Sequence, residues 1–254
     1  MRKVTIIPYV IAALVAGACG DKHSQSSDAN AAEVTVSPEV SSVSTPTGPA
    51  PAGTVTFDGA QTAYTEKRYD EAVGLFTSYT SEHPDNVWGF YMLGLSAWKT
   101  GDRDAAVRAF TRALEKDSAH VKSHLNLSRV LIEQGKAQEA LPYVEAALKI
   151  DSTSNEIYRV LGRVKGELGD STGAIEALKR AIVLDERDAR SMNNLARVYI
   201  GQGRFEDALG PLARAIEIDS TVAAFHTNLG RALERTADRS SLAEAFVEQV
   251  KGWR

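Results

Sequence analysis

From Val87 onward, apolar and small residues recur every 34 positions. Leu93, Leu127, Leu161, Leu195 and Leu229 hold one place, and Gly94, Ser128, Gly162, Ala196 and Gly230 stand beside them. Seven residues later come Gly101, Gly135, Gly169 and Gly203. Ala106, Ala140, Ala174 and Ala208 follow, then Phe110, Val144, Leu178 and Leu212, then Ala113, Ala147, Ala181 and Ala215. One step back recovers Ala60, Ala72, Phe76 and His83-Pro84, so the register holds from 53 to 222 without insertion. On each side of the glycine the apolar places fall at three- and four-residue intervals, which predicts two amphipathic helices joined by a turn. In the first helix, places four, seven, eight and eleven form one stripe, as Phe90, Leu93, Gly94 and Ala97 do. The small eighth residue lets the second helix approach, and the large residue at place twenty-four fills the space left.

A 34-residue helix–turn–helix repeat with these places resembles the tetratricopeptide repeat (TPR), and the resemblance covers about four fifths of the chain. It implies an all-α, right-handed superhelical solenoid that binds other proteins. Its units are 53–86, 87–120, 121–154, 155–188 and 189–222, with a partial sixth at 223–254. Each unit is apolar on both sides, so only stacking hides its faces. Several places depart from the pattern. The family's proline near the end of a repeat survives only as Pro84. Asp117-Ser118, Asp151-Ser152 and Asp219-Ser220 stand in as expected caps of the following helix. Pro142 and Pro211 are expected in the first turn of a late-starting second helix. Gly59 weakens the first helix. Gly162, Gly166, Gly169 and Gly173 make the fourth unit the softest. Leu242, Ala245, Phe246 and Val250 predict a final amphipathic cap.

The N-terminus is of another kind. Met1-Arg2-Lys3 is basic and residues 4–17 are mostly apolar, too short a run for a bilayer, which needs about 20 residues. This is the layout of a secretory signal peptide over 1–18. Ala16-Gly17-Ala18-Cys19 resembles a bacterial lipobox, with Ala16 where leucine or valine is usual. The resemblance implies lipidation of Cys19. A plain signal peptide followed by a chance cysteine is the alternative, and it would give a secreted protein. Cys19 is the single cysteine, so no disulfide partner exists in an oxidising compartment. One acyl chain anchors only marginally, so the family's multiple acylation matters. In such lipoproteins an aspartate directly after the cysteine retains the protein at the inner membrane. Here Gly20 intervenes before Asp21, which points to the outer membrane facing the periplasm. Residues 20–52 are rich in Ser, Ala, Thr, Pro and Gly, including Pro38, Pro46, Pro49 and Pro51, and lack aromatics. They read as a linker reaching about 30 Å from ~5.5 Å × √n. Val34, Val36 and Val40 are the residues that would lodge if it packed on the domain instead.

Composition changes this picture little. The chain is 43% hydrophobic and 24% charged, with net charge −4, and loss of the leader would remove Arg2 and Lys3. That balance argues against nucleic-acid affinity, which needs a concentrated basic surface. His120 and His124 stand four apart, but no carboxylate or thiol completes a metal site. Gly201-Gln202-Gly203 is followed by no Lys-Ser or Lys-Thr, so it reads as a turn rather than a phosphate loop. No catalytic constellation or cofactor motif is found, and the chain is not read as an enzyme.

Residues not spent on packing remain. In TPR superhelices the first helices line a concave groove. Its ninth place carries Arg129, Arg163, Arg197 and Arg231, and its sixth Asn126, Asn194 and Asn228, with Val160 interrupting. Such a ladder offers guanidinium and amide donors to a peptide backbone or an acidic ligand. It resembles the asparagine ladder in the TPR domain of O-linked N-acetylglucosamine transferase. The chaperone-type carboxylate clamp is not matched, since its lysine and asparagine places hold Leu125 and Arg129. At about 150° from the packing stripe, the arginines are expected on exposed faces; the plain alternative is solvated helix surface. In the second unit Trp88, Tyr91, Met92, Leu95 and Trp98 gather on the groove side, with Tyr64 at the place equivalent to Trp98. They predict either anchors for a partner's side chains or a patch covered by the linker or the weak first helix.

Together these features describe a lipid-anchored envelope scaffold that binds an extended peptide or a partner helix. The alternative is a homo-oligomeric structural component of a secretion or pilus-type assembly. The layout is similar to type IV pilus biogenesis lipoproteins and to lipoproteins that scaffold peptidoglycan hydrolases, and no motif separates them. If the lipobox operates, mass spectrometry of the mature N-terminus finds acylated Cys19, and Cys19→Ser moves the protein from the membrane to the soluble fraction. An unmodified residue 19 in the mature wild type would end the lipoprotein reading.

Overall fold

The computed structural model describes residues 55–236. The leader, Cys19, the 20–52 linker and the capping helix expected around Leu242 to Val250 lie outside the described residues. Eleven α-helices and no strands occupy the described part. They are α1 (Phe57–Thr65), α2 (Tyr69–Glu82), α3 (Val87–Thr100), α4 (Arg103–Lys116), α5 (Val121–Glu133), α6 (Ala137–Ile150), α7 (Asn155–Glu167), α8 (Ser171–Leu184), α9 (Ala189–Gly201), α10 (Phe205–Ile218) and α11 (Ala223–Arg235). From α3, first helices begin every 34 residues, and second helices do so from α2. Each helix packs on the next, and α5, α7, α9 and α11 also touch in succession. The fold is a superhelical solenoid of helix pairs.

The expected small-to-large packing is present. Phe76, Phe110, Val144, Leu178 and Leu212 are fully buried, as are Ala106, Ala140, Ala174 and Ala208 and also Ala113, Ala147, Ala181 and Ala215. A Cβ added to Gly94 would lie 2.6 Å from Phe110 Cε1, and one added to Gly162 would lie 2.5 Å from Leu178 Cγ. Real Cβ atoms do not approach so closely, so glycine there sets how near the two helices come. Ser128 occupies the same place in the third unit, fully buried, and its hydroxyl donates to His124 O at 2.8 Å and Ala140 O at 3.3 Å.

The inter-helix turns use a left-handed residue: Gly101, Gly135, Gly169 and Gly203 have φ between 72° and 89°. In the first unit Lys67 takes that place at φ 63°, a conformation that costs an L-residue roughly 1–2 kcal/mol. The first helix of that unit, α1, is nine residues long and is capped by Thr56, whose hydroxyl accepts from Gly59 N.

Two expectations are corrected. The aspartates of the Asp-Ser pairs do not cap the following helices. Asp117 accepts from Ala119 N, Asp151 from Thr153 N and Asp219 from Thr221 N, each two residues on, closing the inter-unit turn. Where a side chain does cap a first helix from the last place of the preceding unit, it is Asn86, Ser154 or Asp188, accepting from the Gly89, Ile157 and Ser191 N–H groups, while His120 and Val222 at that place give no side-chain cap. Pro142 and Pro211 are not in first turns but inside α6 and α10. The carbonyls they cannot serve, four residues back, belong to Gln138 and Asp207, which are exposed, so water can take the lost bond.

The fourth unit contains a paired test. Gly162→Ala should lower the melting temperature, because the added methyl collides with Leu178. Gly166→Ala should raise stability by about 0.5–1 kcal/mol, since its Cβ would meet only Val198 and Ala174 at ordinary contact and glycine is a poor helix former. Ala140→Trp should be worse than either, given that overpacking by single methylenes already costs about 1–3 kcal/mol. Thermal melts in the reverse order would refute the register.

Candidate ligand groove

The first helices place the ladder residues on neighbouring surfaces, but not with equal freedom. Arg129 has a side chain only 11% exposed, and it is spent: Nη2 pairs with Glu156 at 2.6 Å and Nη1 donates to Asn126 Oδ1 at 3.0 Å. Asn126 is buried, and its Nδ2 donates to the Tyr91 hydroxyl at 3.2 Å. Glu156 also faces Arg159, whose Nη1 pairs with buried Asp188 at 2.8 Å, and Asp188 accepts from Ser191 Oγ at 2.6 Å. The line Tyr91–Asn126–Arg129–Glu156–Arg159–Asp188–Ser191 therefore ties four successive units together.

Asn228 is likewise buried, donating to Asn193 Oδ1 at 2.8 Å. Both asparagine bonds span 35 residues, from place five of one unit to place six of the next. The same offset matches Leu125 with Val160, both almost fully buried. Val160 is thus an apolar version of the joint rather than a gap in a ladder. Asn126, Asn228 and Arg129 serve the fold, contrary to their expected exposure. Their outward-facing places on a single helix are closed by the preceding or following unit.

The expected aromatic surface is also mostly internal. Tyr91 is buried, and that burial pushes its hydroxyl up to about 12. Leu95 and Trp98 are half-buried against the core, and Trp98 Nε1 donates to Glu133 at 3.0 Å, which also pairs with Arg103. Helix α1 touches α3. Trp88 remains 47% exposed, edge-on to Tyr91 and His120, with Lys122 Nζ 5.3 Å over its ring. His120 and His124 face Ser123 Oγ and Ser118 O, and among the described residues no group of His, Cys, Asp or Glu gathers to hold a metal.

Arg163, Arg197, Arg231 and Asn194 have a different setting. They line one open cleft of about 420 Å³ between α7, α9 and α11, with Gly162, Gly166, Gly201 and Ser171 in its walls. Arg197 and Arg231 are exposed and Arg163 is half-buried. Among the described residues none of the three makes an ion pair or hydrogen bond. Burial, then the charges of Arg197 and Arg129, push the Arg163 guanidinium below its ordinary value. Cations outnumber acids here, since Glu133 and Glu167 offset the Arg163 environment only in part, in a chain of net negative charge.

Residues 91–155 and 159–223, more than half of the chain, match the tetratricopeptide-repeat family. The chain belongs to that family. Among solved TPR structures, it is similar to MamA at 26% identity and TM-score 0.55, covering 63% of this chain and 93% of that one. TTC0263, a thermophilic TPR protein of Thermus thermophilus, aligns at 22% identity and TM-score 0.58, covering 69% and 95%. YrrB, described as a TPR protein with an unusual peptide-binding site, aligns at 20% and 0.55, covering 70% and 92%. No curated protein sequence matches the chain significantly.

The inter-unit network carries its own pH dependence. Burial alone would raise the Glu156 carboxyl, but Arg129 and then Arg159 outweigh it and hold the group below its usual 4.5. A depressed folded value means that the pair stabilises fully above about 4.5 and is lost as pH falls through the lower folded value. Glu156→Gln should therefore cost about 1–2 kcal/mol at pH 7, discounted for the partial exposure of the carboxylate, and should flatten the acid limb of a stability–pH curve. An acid limb unchanged from wild type would show that the pair contributes nothing.

Proposed function

We propose that this TPR protein is a scaffold tethered to the bacterial envelope through Cys19, and that its α7–α9–α11 cleft receives an acidic, extended segment of a partner protein. The membership of the family supports protein binding. The lipobox-like Ala16-Gly17-Ala18-Cys19 supports the tether. One observation carries the site assignment: Arg163, Arg197 and Arg231 share a cleft lined by a single carboxylate, Glu167, and none of the three forms an ion pair among the described residues. An anion entering it relieves the repulsion between the guanidinium groups and replaces the hydration that Arg163 has already lost. Asn194, in the same cleft, has no side-chain bond among the described residues and can both donate to and accept from a ligand's backbone. Arg129 is excluded from the site because Glu156 already neutralises it.

A glutamate-rich peptide should bind the full-length protein in fluorescence anisotropy. Arg163→Gln, Arg197→Gln and Arg231→Gln together should weaken it about tenfold or more, with circular dichroism unchanged. Raising the salt should narrow the difference, because screened charges lose their pull. Trp88→Ala should leave the affinity unaltered. Equal binding by the folded triple variant would remove the cleft from the mechanism.

A further inference from the structure

The spacing of the three arginines says what kind of chain fits them. Each arginine comes from the same place of successive first helices, and α7 touches α9 as α9 touches α11. Axes of packed helices lie about 8–10 Å apart, so that distance is the pitch of the cationic rungs. A ligand satisfying all three must present anions on one side at that interval.

The regular peptide conformations differ in this respect. A β-strand returns to the same side every second residue, about 7 Å along. A polyproline II helix returns every third residue, about 9 Å along. An α-helix returns near the same face after seven residues, about 10.5 Å along, but it is about 10 Å across. Its two-heptad span of about 21 Å overshoots the roughly 16–20 Å between the outer rungs, which two polyproline II periods of about 9 Å match. The narrower form is favoured by Gly166 and Gly201, which add no side chain to the wall. Glu167 is the one acid lining the cleft, and it disfavours a run of consecutive acidic residues that would place a carboxylate against it.

We infer that the occupant is a polyproline II segment of a partner protein with a carboxylate at every third residue, one for each of Arg163, Arg197 and Arg231. This rests on the reading of the cleft as a site for an acidic segment and specifies the register of that segment. Polyproline II makes no internal hydrogen bonds, so its backbone groups are free to meet Asn194.

Three fluorescent peptides of identical composition, each with three glutamates in a proline- and alanine-containing background, separate the possibilities. They space the glutamates by two, three or seven residues and are titrated into the full-length protein. The three-residue spacing should bind about fivefold or more tightly than either other peptide. Arg197→Gln, which removes the central rung, should abolish the preference while a residual affinity remains. Equal, arginine-dependent binding of all three peptides would overturn the register but leave the acidic-ligand reading standing. Preference for the seven-residue spacing would overturn it in favour of a partner helix, and preference for two in favour of a strand. No binding of any peptide would sink both the register and the reading beneath it.

Discussion

The contact between a small residue at the eighth place of one helix and a large one at the twenty-fourth place of its unit sets the geometry on which everything else relies. Gly94 beneath Phe110 and Gly162 beneath Leu178 leave no room for even a methyl group. Because that approach repeats without insertion, first helices recur at a constant interval and adopt a constant orientation. Any residue type that recurs at one place is thereby turned into a row in space. The arginine row at the ninth place is a consequence of the packing rather than a separate device.

The packing was legible because it depends on residue size at fixed intervals, which a one-dimensional pattern preserves. The alanines and large residues of the second helices stand where the register puts them, all fully buried. Exposure of the polar groove residues was not legible from one helix alone. The face of α5 that looks free on a helical wheel meets Tyr91 of the unit before and Glu156 of the unit after. A signal was nevertheless present: places five and six, offset by 35 residues, hold Tyr91 with Asn126, Leu125 with Val160 and Asn193 with Asn228. Polar residues match polar, and apolar match apolar. The buried acid Asp188 was missed for a related reason. It sits at the cap place, beyond the more conspicuous Asp-Ser places, and Arg159 reaches it from the preceding first helix.

The division of the ladder has a physical meaning. In the N-terminal half, Arg129 and Asn126 belong to a continuous line of hydrogen bonds and ion pairs that join units two to five. Beyond Glu156 no carboxylate forms an ion pair at the ninth place among the described residues, and Arg163, Arg197 and Arg231 face a cleft with Glu167 as the one acid in its lining. A chain with excess acid that gathers three cations around one acid in a single concavity keeps positive charge available for a ligand from outside. Leaving the exposed Arg197 and Arg231 without ion pairs costs the domain little stability, whereas half-buried Arg163 carries a desolvation cost that an entering anion would offset.

The central claim, that the cleft cations and not their buried counterpart meet the ligand, is tested most directly by following arginine Nε–H resonances by NMR while a glutamate-bearing peptide is titrated. The account predicts that the signals of Arg163, Arg197 and Arg231 shift together and saturate at one affinity, while that of Arg129 stays in place. Shifts confined to the surroundings of Trp88, or spread evenly over the surface arginines, would contradict it.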